Sequence, residues 1–355
     1  MSGTSLDGVD AVLVDFSSRP FVVRASAHRP FPADLRSELF ALQVPGPGEI
    51  DRAATAANAL ALLYAAAVDA VLQAGGATRD LIQAIGCHGQ TVRHRPERGF
   101  TCQIGNAALL AERTGIRVVS DFRSRDVAAG GQGAPLAPAF HAEVFADRAE
   151  KRAILNIGGI ANLTGLDVDG SVMGLDCGPG NCLMDLWCAR HTGAPFDDSG
   201  KWAATGQVIP ALLEKLKQDP YFAMPPPKST GRDLFNEAWL GARLAPSYEA
   251  RSVQATLLEL TARTISDALE RSLPHTRRVI ACGGGTRNEV LMRRLRELLG
   301  AVSLESSDAH GVDPQLVEAL AFAWLARQTI LGFPGNLPAV TGATGARVLG
   351  AVYPR

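Results

Sequence analysis

The sequence predicts an α/β protein made of two half-molecules around a central ligand cleft. Three observations carry that prediction. Short apolar runs alternate with Ala- and Leu-rich or amphipathic stretches along the whole chain, which is the order of strands alternating with helices. Two of the apolar runs, one at the start and one just after residue 150, meet the same kind of tight turn holding Gly, Asn, Asp or Thr, which reads as a repeated half. No low-complexity linker separates the halves, so residues 1–150 and 151–355 are expected to pack closely around the cleft.

The elements follow in order. "MSGTSLDGVDAVLVDF" is a small, polar, glycine-containing turn running into a strand at Ala11–Phe16. "EIDRAATAANALALLYAAAVDAVLQAGG" has the composition of a long helix and ends on glycines. "LIQAIGCHGQT" holds a short strand, and "NAALLAERTGIRVVSDF" a helix followed by another strand. "DVAAGGQGAPLAPAFHAEVF" begins glycine-rich and finishes helical. After the charged "ADRAEKR", "RAILNIGGIANLTGLDVDGSV" reads as strand, glycine turn, strand. "MPPPKST" is a proline-bounded loop. A helix is expected over Val253–Leu269, then strand, glycine turn and helix in "RRVIACGGGTRNEVLMRRLRELL", and a closing core helix in "PQLVEALAFAWLARQTIL".

Composition narrows the function classes. A net charge of -1 gives no reason to expect nucleic acid or an anionic membrane as partner. The apolar runs read as too interrupted for a transmembrane helix, and no signal peptide is visible. The six cysteines are expected to be reduced thiols, since no secretion signal accompanies them. Cys177, Cys182, Cys188 and His191 lie close in sequence but lack a C-x-x-C pair, and zinc is not the favoured reading.

Three glycine turns carry the chemistry. In the first, Gly3, Thr4, Ser5, Leu6, Gly8 and Val9 offer backbone N–H groups and hydroxyls to phosphate oxygens. Asp7 and Asp10 would repel a phosphate unless a cation bridged them, and magnesium is commonly held by one or two carboxylates plus phosphate and water; Asp7 is the metal candidate. The second turn, "NIGGIAN", supplies Gly158, Gly159 and the amides of Asn156 and Asn162. The third, "CGGGTRN", supplies Gly283, Gly284 and Gly285, with Asn288 in the first turn of the following helix. Plain chain reversal explains any one such turn; three of them in two α/β halves favour a split nucleotide site. Neither a G-x-x-x-x-G-K-[ST] loop nor a G-x-G-x-x-G fingerprint is present.

The combination resembles the actin, sugar-kinase and heat-shock ATPase superfamily. Within it, "MSGTSLDGVD", "GCHGQTVRHRP", "TCQIGN", "SDFRSRDVAAGGQGAPLAPAFH", "NIGGIANLT", "LDCGPGNCLMD", "PPKSTGRDLFN", "CGGGTRNEVLM" and "VTGATGARVLGAVYP" are similar to the anhydro-N-acetylmuramic acid kinase family over nearly the whole chain. The resemblance implies an actin-like fold of duplicated ribonuclease-H-like domains. It also implies ATP and Mg2+ as cofactors, a homodimer, a cytoplasmic place in cell-wall recycling, and conversion of 1,6-anhydro-N-acetylmuramic acid with water and ATP into N-acetylmuramic acid 6-phosphate. The superfamily has strand residues ahead of the first turn where this sequence starts; either Met1 is a misassigned start or a shortened strand is tolerated, and if the strand is missing the turn is held from one side only.

That reaction assigns roles. Asp176 in "GLDCGPGN" is the candidate base for the water that opens the anhydro bridge; a helix-capping aspartate is the alternative. Asp185 is a substrate contact or a helix-surface charge. The lactyl carboxylate needs a cation, for which Arg125 is preferred over Arg123; Asp121 and Asp126 are the alternative partners of both. His88 and Gln90 are sugar ligands or structural polar groups. Lys228, Ser229 and Thr230 form a loop that closes on the sugar or is merely solvated. Glu318, in an apolar helix, is expected to be a buried acid facing a sugar hydroxyl. The competing readings are an ATP-switched binding or filament protein on the same fold and a kinase for a different amino sugar.

Overall fold

The computed structural model describes every residue except Thr4, Ser5 and Pro227, so the phosphate contacts expected of Thr4 and Ser5 lie outside the described residues. It divides into two compact units, residues 1–140 with 318–355, and residues 141–317.

The first unit opens with β1 (Gly8–Asp15), paired antiparallel with β2 (Val22–Pro30). Helix α1 (Glu49–Gly75) packs on this hairpin through a stripe of Ala56, Leu60, Ala61, Tyr64, Ala67, Val71 and Leu72, the spacing of one helical face. It stops at Gly76, whose left-handed backbone (φ +61) turns its N–H back to Gln73. By length and composition alone this helix is long and apolar enough to cross a membrane, a test that a buried core helix also passes. Its buried stripe lies in the core of this unit with Leu39, Leu110 and Val118. The strand β3 (Ile85–Gly86), the hairpin β4 (Gln90–Arg95) with β5 (Phe100–Ile104), α2 (Ala107–Thr114) and β6 (Val118–Ser120) follow, with β3 parallel to β6. The side chain of Asn106 caps α2 by accepting the Leu109 N–H at 2.9 Å.

The second unit is built on one sheet of β7 (Arg152–Ile157), β8 (Ile160–Leu166), β9 (Val172–Pro179), β10 (Arg278–Cys282) and β11 (Ser303–Ser306). The spatial order is β9-β8-β7-β10-β11. The first three form an antiparallel meander, and β10 and β11 add in parallel. This is the ribonuclease-H-like plan, seen complete in this unit. Helix α3 (Cys182–Thr192) follows β9, while α4 (Ala250–Ser272) and α5 (Glu289–Leu299) flank β10 in sequence. Helix α4 is buried almost all round from Ser252 to Ala262, as a central core helix must be. All six cysteines are free thiols. Cys177 and Cys182 are in the core, Cys188 faces Thr192, and the His191 ring lies 4.0 Å from Trp187, so the zinc reading has no support.

The chain then returns to the first unit with α6 (Val317–Leu331) and β12 (Ala351–Tyr353), which pairs antiparallel with β6. The expected division at 150/151 is therefore corrected in two ways: the break falls ten residues earlier, after Phe140, and residues 318–355 belong with the N-terminal half. A buried carboxylate fixes that return. Asp126 accepts hydrogen bonds from the Gly133 N–H (2.8 Å), Asn336 Nδ2 (2.7 Å) and Thr341 Oγ1 (2.7 Å). These three donors hold the carboxylate, and among the described residues no arginine hydrogen-bonds to it.

Candidate active site

The first turn is held from both sides, as the shortened-strand alternative requires. The Met1 N–H donates to the Asp10 carbonyl at 2.7 Å and the Asp10 N–H to the Met1 carbonyl at 2.8 Å, a strand-like exchange. Ser2 Oγ lies 2.9 Å from the Tyr64 hydroxyl and donates to the Gly89 carbonyl, and Gln90 Nε2 donates to the Gly3 carbonyl at 3.2 Å. Gln90 is thus a brace for the turn. Leu6 and Val9 send their side chains into the core, leaving only backbone for a phosphate. Leu6 is left-handed (φ +53). The Asp10 carboxylate meets His28 Nδ1 at 2.8 Å. Gly8 packs so tightly on the Arg29 carbonyl that no side chain fits there. Asp7 is exposed at the bend before β1. Among the described residues no cluster of three metal-ligating side chains occurs, and a lone carboxylate at a phosphate turn suits magnesium, which keeps waters and substrate oxygens as its other ligands.

His88 is buried against the Phe322 ring, 4.5 Å between centroids. Its Nε2 accepts from Arg123 Nε and Nη2 at 3.1 and 3.0 Å. Burial, then the Arg123 charge, holds its pKa well below the ordinary histidine value, so the ring is neutral and carries its proton on Nδ1. Arg123 spends its remaining Nη1 on the Gly133 carbonyl, and burial lowers its pKa to about 10. Asp121 accepts from Ser124. Arg125 is exposed, with no ion-pair partner among the described residues. Glu318 lies exposed in the first turn of α6, which corrects its reading as a buried acid.

In the second unit, strand register assembles what the sequence left scattered. Asn156, Asn162 and Asp176 sit directly opposite one another across β7, β8 and β9, forming one polar row near the strand ends. The neighbouring row, Leu155, Leu163 and Leu175, is buried in the core. Asp176 Oδ2 accepts the Thr230 N–H at 2.9 Å, its N–H donates to the Lys228 carbonyl, and its carbonyl accepts from Tyr221 OH. Burial raises the Asp176 pKa to about 6, with the Thr230 N–H and the Lys228 charge pulling the other way. It precedes no helix directly and caps none, so the helix-cap alternative falls away. Lys228 does not reach outward as expected. It is buried, donating to the Tyr221 and Phe222 carbonyls with Nζ 4.7 Å from the Tyr221 ring centre. Ser229 is exposed. Asp185 lies half-buried in the first turn of α3.

The second and third glycine turns share a wall. The carbonyls of Gly158 and Gly159 accept from Asn181, Gly180 and Cys182 at the start of α3, and no backbone carbonyl takes the N–H groups of the two glycines among the described residues. Gly283 (φ +85) and Gly285 press on Asn156 and Ile157, so a side chain at either would push into β7. Gly284 is open, with Asn181 Nδ2 and Gln315 Oε1 at its edge. Gln315 braces the turn by donating to the Gly283 carbonyl at 3.1 Å. Asn288 is not within the helix but caps it, accepting the Leu291 N–H at 3.0 Å. Sequence reasoning missed Asn181, Tyr221 and Gln315; each sits outside the glycine motif it supports, and only the fold brings it there.

The sequence profile of the anhydro-N-acetylmuramic acid kinase family matches residues 1–355. A Nitrosomonas europaea protein named anhydro-N-acetylmuramic acid kinase is 54% identical over 356 residues, covering 100% of this chain and 98% of the relative. A Variovorax paradoxus protein of the same name is 56% identical over 365 residues, covering 100% and 97%. Among solved structures, the activator of the 2-hydroxyisocaproyl-CoA dehydratase from Clostridium difficile is similar at a TM-score of 0.44 and 14% identity, covering 91% of this chain and 97% of that one. The match runs along the full length at more than half identity: the chain belongs to the anhydro-N-acetylmuramic acid kinases.

Proposed function

We propose that Asp176 is the general base with which this phosphotransferase converts 1,6-anhydro-N-acetylmuramic acid, water and ATP into N-acetylmuramic acid 6-phosphate and ADP, a step of cell-wall recycling. The observation that carries the assignment is the carboxylate itself: buried enough to have a pKa of about 6, yet fixed by the Thr230 N–H at the edge of a polar row.

The oxygen on carbon 6 of the anhydro sugar is tied to carbon 1, so no free hydroxyl is available there. Ionised Asp176 takes a proton from water as the water oxygen bonds to carbon 1. The bond from carbon 1 to the bridging oxygen breaks, and its electron pair stays on that oxygen. The freed oxygen bonds to the γ-phosphorus of ATP, and the bond to the β,γ-bridging oxygen breaks with its pair leaving on ADP. Asp176 then gives its proton to solvent. Backbone N–H groups at Gly158 and Gly159, and those of the Gly3–Gly8 turn, are the proposed phosphate contacts, with Asn162 beside them. Gly283–Gly285 is the proposed adenosine turn. Bound magnesium would neutralise phosphate charge, and Asp7 is the residue here that would hold it. Arg125 is proposed for the lactyl carboxylate because Arg123 is committed to His88 and Gly133.

The test is the pH dependence of kcat/KM. Asp176 acts only when ionised, so the rate is expected to rise with pH, with a midpoint near 6, falling about tenfold per unit below it. A profile flat from pH 4.5 to 7.5 would remove Asp176 as the base.

A further inference from the structure

The segment that supplies the Thr230 N–H to Asp176 also carries Arg232, two residues on, for which none of the roles above accounts. Its guanidinium lies against the second glycine turn: Nη2 and Nε stand 3.5 and 3.6 Å from where a side chain on Gly159 would begin. Its Nε is buried and has no hydrogen-bond partner, and no carboxylate pairs with the guanidinium among the described residues. Arg125 is also without an ion-pair partner among the described residues but is exposed to solvent, and three other arginines have their acceptors. Arg123 is saturated by His88 and Gly133, and Arg243 and Arg271, which pack on the same part of the fold, bind Asp219 and the Phe222 carbonyl. Burial raises the Cys182 thiol pKa to about 11, and the nearby Arg232 charge pulls against that rise. A buried donor left without an acceptor is costly, and an arginine held in this state beside glycine N–H groups that also lack acceptors is a place prepared for an anion.

We propose that Arg232 binds the γ-phosphoryl group of ATP during transfer, donating from Nε and Nη2 to its non-bridging oxygens. This rests on the kinase reading above and deepens it. As the β,γ-bridging bond breaks and the bond from the sugar oxygen forms, negative charge on the transferred group meets a fixed cation supplied from within the same unit as the base. The segment joins the two halves of the chemistry: Thr230 fixes the base that activates water, and Arg232 fixes the group that the released oxygen attacks. Because ADP lacks the γ-phosphate, Arg232 distinguishes ATP from ADP.

Calorimetric titration of the full chain with magnesium and either a non-hydrolysable ATP analogue or ADP tests this. Arg232→Met is expected to weaken the analogue by about 10- to 100-fold and ADP by less than twofold, and to lower kcat by about 10²- to 10³-fold. The acid limb of the pH profile near 6 stays in place, since Asp176 is untouched. Arg232→Lys, which keeps the charge but loses the fork, is expected to recover only part of the loss. If Arg232→Met fails to give a cooperative melt, Arg232→Lys decides. Equal losses for ADP and the analogue, or kcat within threefold of the parent in a folded variant, overturn the proposal. The parent protein assayed with anhydro sugar separates the two readings: failure to phosphorylate it sinks the substrate assignment, while ATP-over-ADP discrimination by Arg232 is read from binding alone.

Discussion

Asp176→Asn is expected to lower kcat by about 10²- to 10⁴-fold, the range of a lost general base, while ATP affinity stays within about twofold. The amide keeps an acceptor for the Thr230 N–H, so the polar row and its loop stay in place, and the variant differs from the parent only in lacking a proton acceptor. Stability should move the other way. Burial raises the carboxyl pKa in the folded chain from 3.8 to about 6, so between those values the folded state binds more protons than the unfolded state. The stability of the parent is therefore full below about pH 4 and is lost as pH rises through 6. Removing the ionisable group removes that loss. The variant should melt above the parent at pH 8 and alongside it at pH 4. Thermal melts at the two pH values with a coupled ADP-release assay check both halves. A slow variant that melts well below the parent at pH 8 would mean that Asp176 is structural.

Gly180→Ala is expected to damage both the second glycine turn and ATP binding without touching the groups that do the chemistry. Gly180 donates its N–H to the Gly159 carbonyl at 2.9 Å. A methyl group there would collide with the Gly158 carbonyl and stand 3.1 Å from the Ala161 nitrogen. Both obstacles are backbone, so the turn itself must shift. Overpacking of this kind costs about 1–3 kcal/mol, a fall of several degrees in Tm for a unit of this size. The larger effect is on ligand: moving the Gly158 and Gly159 N–H groups should weaken ATP by more than tenfold. Gly241→Ala is the control, because nothing lies within 4 Å of that position and its helical backbone suits alanine; it should leave affinity unchanged and Tm equal to or slightly above the parent's. Parent-like ATP binding by Gly180→Ala would show that this turn does not hold phosphate.

The helices were largely legible in the sequence because each carries its own signal. The Ala/Leu run of α1 and the apolar face of α5 are local features, whereas the capping roles of Asn106 and Asn288 emerge only in the structure. The turns at 158–159 and 283–285 were legible for the same reason. Pairings were not. β2 alternates exposed and half-buried residues and carries Arg24, Ser26 and His28, so nothing marks it as a strand until β1 lies beside it. The return of residues 318–355 to the first unit depends on a buried Asp126 whose partners are more than 200 residues away. Glu318 and Lys228 show the limit of composition. An acid among alanines, expected to be buried, lies on the exposed edge of its helix, and a lysine expected to close on the sugar or to face solvent lies inside, its ammonium satisfied by carbonyls. The row Asn156, Asn162 and Asp176 exists only through strand register.

The account stands or falls on water joining carbon 1 of the sugar in the same turnover that moves the phosphoryl group to the oxygen on carbon 6. A single turnover in oxygen-18 water, followed by mass spectrometry of the sugar phosphate, reads this directly. One heavy oxygen at the anomeric carbon and none in the phosphate is the predicted result. Heavy oxygen in the phosphate, or an unlabelled sugar phosphate, would contradict it.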